Sequence, residues 1–445
     1  MSVHLKMEID LKKIKKVFFV GIGGIGISAI ARLMLLEGKS VFGSDLSESV
    51  IIRDLSKSGA KIKLGQGIEL IPKDIDLLIY STAIEKYDGV FLKKIGKLGI
   101  PIFSYPQMLG LVTKGKHTIA VSGTHGKTTT TAMIAKILIE AKLDPSVIVG
   151  SLLPKSKSNL VVGQSDFFVV EACEYNRAFL NIKPEILVIT NIEADHLDYY
   201  KDIADIKNAF EQFMSQTENI VVYNGKDINT IALAPRYKKK VVDYTKYLEK
   251  VPKLSVPGVH NRMNAAAALA VADILNIKEG IAKKSLAEFS GTWRRLEKKG
   301  KTKEGVIIYD DYAHHPTEIK ASLQALRELY PKGDKQNAKK ITVLFQPHLY
   351  SRTKALFADF VKSFKEADRV LLLPIYFARE DIDESISSEK LAMTMCLESD
   401  AVQAFPDFKS AEEAITGLKL GSQDIFVTMG AGEAYKVAEK VFKIT

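Results

Sequence analysis

The plainest chemistry in this chain sits in Gly123-Thr124-His125-Gly126-Lys127-Thr128-Thr129. In such a loop, backbone N–H groups cradle phosphate oxygens, the lysine supplies a point charge and the following hydroxyl reaches Mg2+. The loop is a shortened form of the phosphate-binding pattern, because the first glycine of the full pattern would fall at Val121. An apolar run, His117–Ser122, precedes it, and a helix-forming stretch from Lys127 to about Ala141 follows. That is the strand–loop–helix setting the chemistry requires. Glu171 closes a β-branched and aromatic run, Phe167–Glu171, where an acid can meet a phosphate-bound metal. His196 follows another such run, in Thr190-Asn-Ile-Glu-Ala-Asp-His196. A hard cation prefers oxygen, so chemistry alone makes His196 a loop histidine rather than a ligand.

A second glycine loop, Gly21-Ile22-Gly23-Gly24-Ile25-Gly26, lies between a strand-like run and the helix pattern that contains Ser28. Asp45 stands about twenty residues further on, as the dinucleotide fingerprint asks. Glycines let the backbone approach a diphosphate, and the helix N-terminus favours its charge. The loop specifies a diphosphate without saying which one: UDP satisfies it as well as NAD. An NAD-dependent oxidoreductase is the rival reading, but it leaves the phosphate loop Gly123–Thr129 and Glu171 without work. A nucleotide-binding switch or scaffold accounts for both loops but not for the histidine and arginine blocks further along.

These groups need rigid elements behind them. Lys16–Val20, Ser40–Gly43 and Asp76–Tyr80 read as strands alternating with helices such as Ile25–Glu37, which implies a parallel sheet. His117–Ser122, Phe167–Glu171, Ile186–Thr190 and Asn219–Tyr223 form a second set, closed by an alanine-rich helix, Asn264–Leu275. Gly305–Tyr309, Lys340–Phe345, Arg369–Leu373 and Asp424–Thr428 form a third. With 445 residues the chain is too long for one core. The expectation is three α/β domains: residues 1–107, 108–291 and 292–445.

The apolar share of 46% and charged share of 26% belong to a soluble globular protein. The net charge of +10 comes largely from lysine runs at Lys12–Lys16, Lys238–Lys240 and Lys298–Lys303. They lack interleaved aromatics, so solvated surface and mild attraction of polyanionic substrates is the reading, not nucleic-acid binding. The two cysteines, Cys173 and Cys396, form no CxxC pair, which excludes a cysteine zinc site and fits a reducing compartment. The charged stretch Met1–Lys13 has no apolar core of a signal peptide, and Val17–Leu36 reads as a strand running into a helix, not a membrane span.

Eight blocks resemble the Mur ligases in order. They are GIGGIGIS (Gly21–Ser28), GTHGKTTT (Gly123–Thr130), EACEYNRAFL (Glu171–Leu180), TNIEADH (Thr190–His196), GVHNRMN (Gly258–Asn264), DDYAHHPTE (Asp310–Glu318), FQPHLYSRT (Phe345–Thr353) and GAGE (Gly430–Glu433). Six of the eight histidines fall inside them. Within the family they resemble the members that join L-alanine to the lactyl carboxylate of UDP-N-acetylmuramate. A sister ligase that adds a whole peptide to the same sugar nucleotide is the nearer rival.

The resemblance implies an N-terminal Rossmann-like parallel sheet binding the UDP-sugar through Gly21, Gly23, Gly24, Ile25, Gly26, Ser28 and Asp45. It implies a central P-loop ATPase-type domain and a C-terminal Rossmann-like domain that brings the amino acid. ATP would be held by residues 123–129 with Asn261, Asn264 and Asp311. Thr128 and Glu171 would hold Mg2+, and the position of His196 becomes a ligand of a second Mg2+. Tyr312, His314, His348 and Arg352 would line the amino-acid site, with Lys127, Glu171, His196, His315 and Arg352 carrying the reaction. A cytoplasmic monomer or homodimer without stable membrane association is the expected setting. Three positions depart from the commoner pattern: Gln66, Leu349, and Cys173, which reads as a small buried residue.

Overall fold

The computed structural model describes residues 9–153, 157–332, 338–377, 380–395 and 401–444, apart from the side chains of Lys86 and Tyr87. Met1–Glu8, which carry much of the stretch read for a signal peptide, and Cys396 lie outside the described residues.

Apolar β-branched runs build three sheets, because a parallel strand is buried on both faces and must be apolar on both. In the first sheet, Lys61–Leu64, Ser40–Asp45, Lys16–Val20, Leu77–Tyr80 and Ile102–Ser104 lie side by side in that order, all parallel. The second runs Lys240–Asp243, Ile220–Tyr223, Ile186–Ile189, His117–Ser122, Phe167–Glu171, Ser146–Leu153 and Ser158–Val161. Its last strand is antiparallel, pairing Val147 with Val161. The third runs Glu297–Lys301, Ile307–Asp311, Asp424–Met429, Lys340–Phe345, Arg369–Leu372 and Val402–Ala404, with Glu297–Lys301 antiparallel at its edge. The hairpin Ser146–Val161 and the edge strand Glu297–Lys301 are additions to the sequence reading, as are the other edge strands Lys61–Leu64, Ile102–Ser104, Lys240–Asp243 and Val402–Ala404. The hairpin mixes glycine and serine into its run, and Glu297–Lys301 is lysine-rich.

One docking surface fixes the first domain against the second. Phe19, Ile30 and Met34 share one apolar cluster with Ala120, Ile148, Val170 and Phe210, so the first and second sheets are joined by a common core. Asn159, fully buried on the second sheet's edge hairpin, adds a polar tie. It accepts from Arg32 Nε at 3.1 Å and donates to Ser28 Oγ at 2.9 Å. On the other face, helix Val259–Ile274 packs on helix Lys127–Glu140, and its buried Ala265–Ala268 allow close approach. Any larger side chain there costs about 1–3 kcal/mol through overpacking. This helix starts a turn earlier than its alanine run, at Val259, and that places Asn261 and Asn264 on one face of its first turn. No helix among the described residues is long and apolar enough to cross a membrane.

Candidate active site

The C-terminal ends of adjacent parallel strands carry the site, as open α/β sheets dictate. His117–Ser122 lies between Phe167–Glu171 and Ile186–Ile189, so the phosphate loop, Glu171 and the Thr190–His196 loop emerge side by side. Gly126 has φ +81°, and a Cβ there would stand 2.5 Å from Asn264 Oδ1, so glycine is required. Helix Lys127–Glu140 starts with no side-chain cap, which leaves its first amides for an anion.

Lys127 Nζ donates to Thr124 O at 2.9 Å and to Glu174 Oε1 at 3.0 Å. Burial works against this ammonium, but the neighbouring carboxylates, Glu174 foremost, outweigh it and hold its pKa above the usual lysine value. Thr128 Oγ1 donates to Glu171 Oε1 at 3.0 Å, and Glu171 Oε2 accepts from the Gly150 amide at 2.7 Å. His196, in the left-handed region at φ +56°, places Nε2 at 3.6 Å from Glu174 Oε1 and sets its ring at a tilt 4.8 Å from that of Tyr175. Glu174 Oε2 is buried with no hydrogen-bond partner. The oxygens of Thr128 and Glu171, with this orphaned carboxylate oxygen close by, suit a hard divalent cation. Glu174 was not singled out in the sequence, because only Glu171 ends a strand.

One cleft opens on all three sheets. It is lined by Ile25 and Gly26 from the first, by Lys127, Glu171, Cys173 and His196 from the second, and by Tyr312, His314, His348 and Arg352 from the third. Gly26 packs so closely that a Cβ would meet the Tyr105 ring at 2.6 Å. Gly21, with φ +73°, turns the chain, and Gly24 caps the helix. The Gly23 amide donates to Asp45 Oδ2 at 2.8 Å, so Asp45 reaches back onto the loop. Ser28 faces the other way: it is fully buried, donates to Ile25 O and accepts from Asn159.

Arg352 is buried against the second sheet's Asp195, with Nη2 at 3.1 Å from Oδ1. Burial opposes the Asp195 charge, but His196 and Arg352 hold its carboxyl well below the usual range. Burial brings His314 down to about 4 and His348 down to about 3, so both rings are neutral at pH 7. His315 lies away from the cleft, its ring 4.7 Å from that of His125. Leu349 sits at φ +73°, a strained conformation for leucine, and heads the short helix Tyr350–Ala355 that carries Arg352. Gln66 donates to Asp88 Oδ2 at 2.9 Å.

Cys173 corrects the sequence reading. It is exposed on the cleft floor rather than buried, because the chain leaves the strand at Glu171 and turns along the cleft. Solvent reaches the thiol, yet the surrounding walls desolvate it and push its pKa up to about 12, which keeps it protonated.

A second pocket lies behind the phosphate loop, between the second and third sheets. Asn261, Asn264, Thr129 and His260 line one side, Arg295, Asp311 and Ser322 the other. Arg295 was missed in the sequence, where it merges into a basic stretch. Its Nη2 donates to Thr128 Oγ1 at 3.4 Å. Asp311 is 4% exposed, accepts from the Ala313 amide and Ser322 Oγ, and has its pKa raised by burial to about 6. A carboxyl with a raised folded pKa stabilises fully below its unfolded value and loses that contribution as pH rises through the folded one. Asp311→Asn is therefore expected to melt higher than wild type above pH 6, by up to roughly 2 kcal/mol, and to lose the gain towards pH 4. Melting curves at pH 4.5 and 8 check this; equal shifts at both would remove ionisation as the cause.

Family models match three segments: residues 16–117 the catalytic domain of the Mur ligase family, 121–253 the Mur ligase middle domain and 294–432 the Mur ligase glutamate ligase domain. The UDP-N-acetylmuramate–L-alanine ligase of Caldanaerobacter subterraneus is 42% identical over 98% of both chains. The chain belongs to the Mur ligase family. The enzyme of the same name from Clostridium kluyveri is 40% identical, covering 97% of this chain and 99% of that one. Among solved structures, a UDP-N-acetylmuramate-alanine ligase from Thermotoga maritima superposes with a TM-score of 0.79 at 26% identity, over 96% of this chain and 98% of the other. A murein peptide ligase from Psychrobacter arcticus shares the fold, with a TM-score of 0.70 at 20% identity over 96% of this chain and 98% of that one. The three-domain α/β architecture of this Mur ligase is thus that of its relatives.

Proposed function

We propose that this Mur ligase joins L-alanine to the lactyl carboxylate of UDP-N-acetylmuramate at the expense of ATP, in peptidoglycan precursor synthesis. What carries the reading is one cleft where the first domain's glycine loop, the second domain's phosphate loop and oxygen-rich cation site, and the third domain's buried arginine–histidine group face each other. The near full-length likeness to ligases of that name selects the substrates.

In this reading the first domain, residues 1–107, takes the UDP-sugar on the Gly21–Gly26 loop. Residues 108–291 take ATP, with Asn261 and Asn264 at the adenine and Asp311 at the ribose. Residues 292–445 bring the amino acid. Thr128 and Glu171 would hold Mg2+, with His196 at a second position, and the ion would supply charge neutralisation at the phosphates. Lys127 leaves Glu174 for the γ-phosphoryl group as it passes to the lactyl carboxylate, giving an acyl phosphate and ADP. The amine of L-alanine then attacks the acyl carbon, phosphate leaves, and an amide remains. Arg352, held in place by the Asp195 carboxylate, takes the alanine carboxylate, and the neutral His314 and His348 add no charge of their own beside it. Because three anionic groups are gathered, positioning and charge neutralisation supply most of the rate.

The test is phosphate release from ATP and Mg2+ with UDP-N-acetylmuramate, with and without L-alanine. Release that needs both, with an amide product by mass, is the expected result. Release with a tripeptide and not with L-alanine would transfer the chain to the peptide-adding ligases.

A further inference from the structure

Glu318 lines both the nucleotide pocket and the three-domain cleft, yet its carboxylate is spent on protein. It stands in the first turn of helix Pro316–Leu329, where Oε2 accepts from the amides of His314 at 3.1 Å and His315 at 3.3 Å. This capping geometry ties one oxygen down within its own domain and directs the other outward. Oε1 then meets His125 Nδ1 at 3.3 Å, across the domain boundary, with Arg295 Nη1 3.8 Å away.

His125 is a side chain of the phosphate loop itself. Its other nitrogen, Nε2, lies 3.5 Å from Glu193 Oε2. Glu193 is steadied from the third domain in turn, because Thr317 Oγ1 donates to the same oxygen at 2.8 Å. One imidazole is therefore held between two carboxylates, Glu318 from the third domain and Glu193 from the second, with the His315 ring against its face. The backbone on either side of His125 is fixed by Asn191, whose Oδ1 accepts the His125 amide at 2.9 Å.

We propose that Glu318 is a positioning residue for the nucleotide, fixing the phosphate loop through the His125 side chain and making that loop depend on the docked third domain. The proposal rests on the ATP reading given above. Glu318 touches no reacting group, so its effect passes through His125. Burial pulls the His125 pKa down, but Glu193 and Glu318 outweigh it and bring it up to about 9, so the ring is a cation that bridges the domains. His315, its own pKa lowered by burial and by the His125 charge, stands beside the ring as a neutral group, and no carboxylate other than these two is within ion-pair distance among the described residues.

Glu318→Gln retains a carbonyl to accept the His314 and His315 amides, so the helix start survives. Calorimetry with a non-hydrolysable ATP analogue and Mg2+ is the experiment, on wild type, E318Q, H125N and the double variant. Affinity for the analogue falls about tenfold in E318Q while UDP-sugar affinity holds, and adding E318Q to H125N brings no further loss. The pH dependence separates this from a merely structural role: wild-type affinity persists towards pH 9, whereas that of E318Q falls from the ordinary histidine range near ~6.5.

An unchanged affinity in E318Q, or an equal loss in both backgrounds, overturns the proposal. Should E318Q melt early, Glu193→Gln removes the other carboxylate from the ring, leaves the cap intact and is read in the same way. A wild type that binds no analogue would bring down the ATP reading itself, and this proposal with it; loss confined to the cycle leaves that reading standing.

Discussion

Lys127→Ala is expected to abolish turnover, lowering kcat at least about 1000-fold, while the affinity for the UDP-sugar stays within about twofold. The reason is spatial. Lys127 opens a helix of the second sheet, whereas the Gly21–Gly26 loop belongs to the first. Its ammonium is already gathered at the loop carbonyls and at Glu174, a few ångströms from Glu171 and Thr128, where a phosphoryl group would draw it off. The variant also leaves Glu174 buried without its cation, so some loss of melting temperature accompanies the loss of activity. Equilibrium binding of UDP-N-acetylmuramate to the folded variant is therefore the deciding readout. If that binding collapses along with turnover, the division of labour between the two loops is wrong.

The second large effect concerns stability. Arg294 Nε donates to Asp310 Oδ2 at 2.8 Å, with the two side chains 4% and 6% exposed. The rest of its guanidinium donates to Gly430 O at 2.8 Å and Gly432 O at 3.2 Å, and Thr428 Oγ1 donates to the other Asp310 oxygen. Arg294 thus ties the linker from the second domain to two strand ends of the third sheet. Arg294→Met leaves the Asp310 charge buried and two carbonyls short of a donor. The cost expected is about 3–5 kcal/mol, read as a fall of roughly 10 °C in the melting of the third domain. The double variant Arg294→Met with Asp310→Asn should recover part of it, since the stranded charge is then gone. A single variant that melts with wild type would mean that water replaces the guanidinium at no cost.

The inner strands of all three sheets, Ser146–Leu153 excepted, were legible, and the edge strands were not, because a parallel strand buried on both faces leaves an apolar β-branched run in the sequence, as at Phe167–Glu171 and Lys340–Phe345. The two glycine loops were legible for a related reason: each needs residue types that little else demands at that spacing. Other groups left no such trace. Arg294 and Arg295 look like the start of a lysine run, and only the fold turns one inward to Asp310 and the other towards Thr128. Glu318 is only the last letter of the DDYAHHPTE block until the second domain brings His125 against it. The Cys173 side chain was misjudged because burial was inferred from size, while the course of the chain after Glu171 decides it. Ser28 belongs to the glycine block in sequence, yet in space it serves the contact with Asn159. Periodicity reports which face an element buries; it is silent on which distant segment fills the space opposite.

The antiparallel strand Glu297–Lys301 bears on a different property, the behaviour of many copies at once. It is the outermost strand of the third sheet, and one side of its backbone is unpaired within that sheet. A free edge of this kind invites the edge of another molecule. Lys298 and Lys301 are exposed along it, and the register breaks at Lys298–Gly300. Like charges facing like charges and an irregular backbone both resist edge-to-edge pairing. The exposed lysines and the break in register thus disfavour edge-to-edge joining of third domains when copies are crowded.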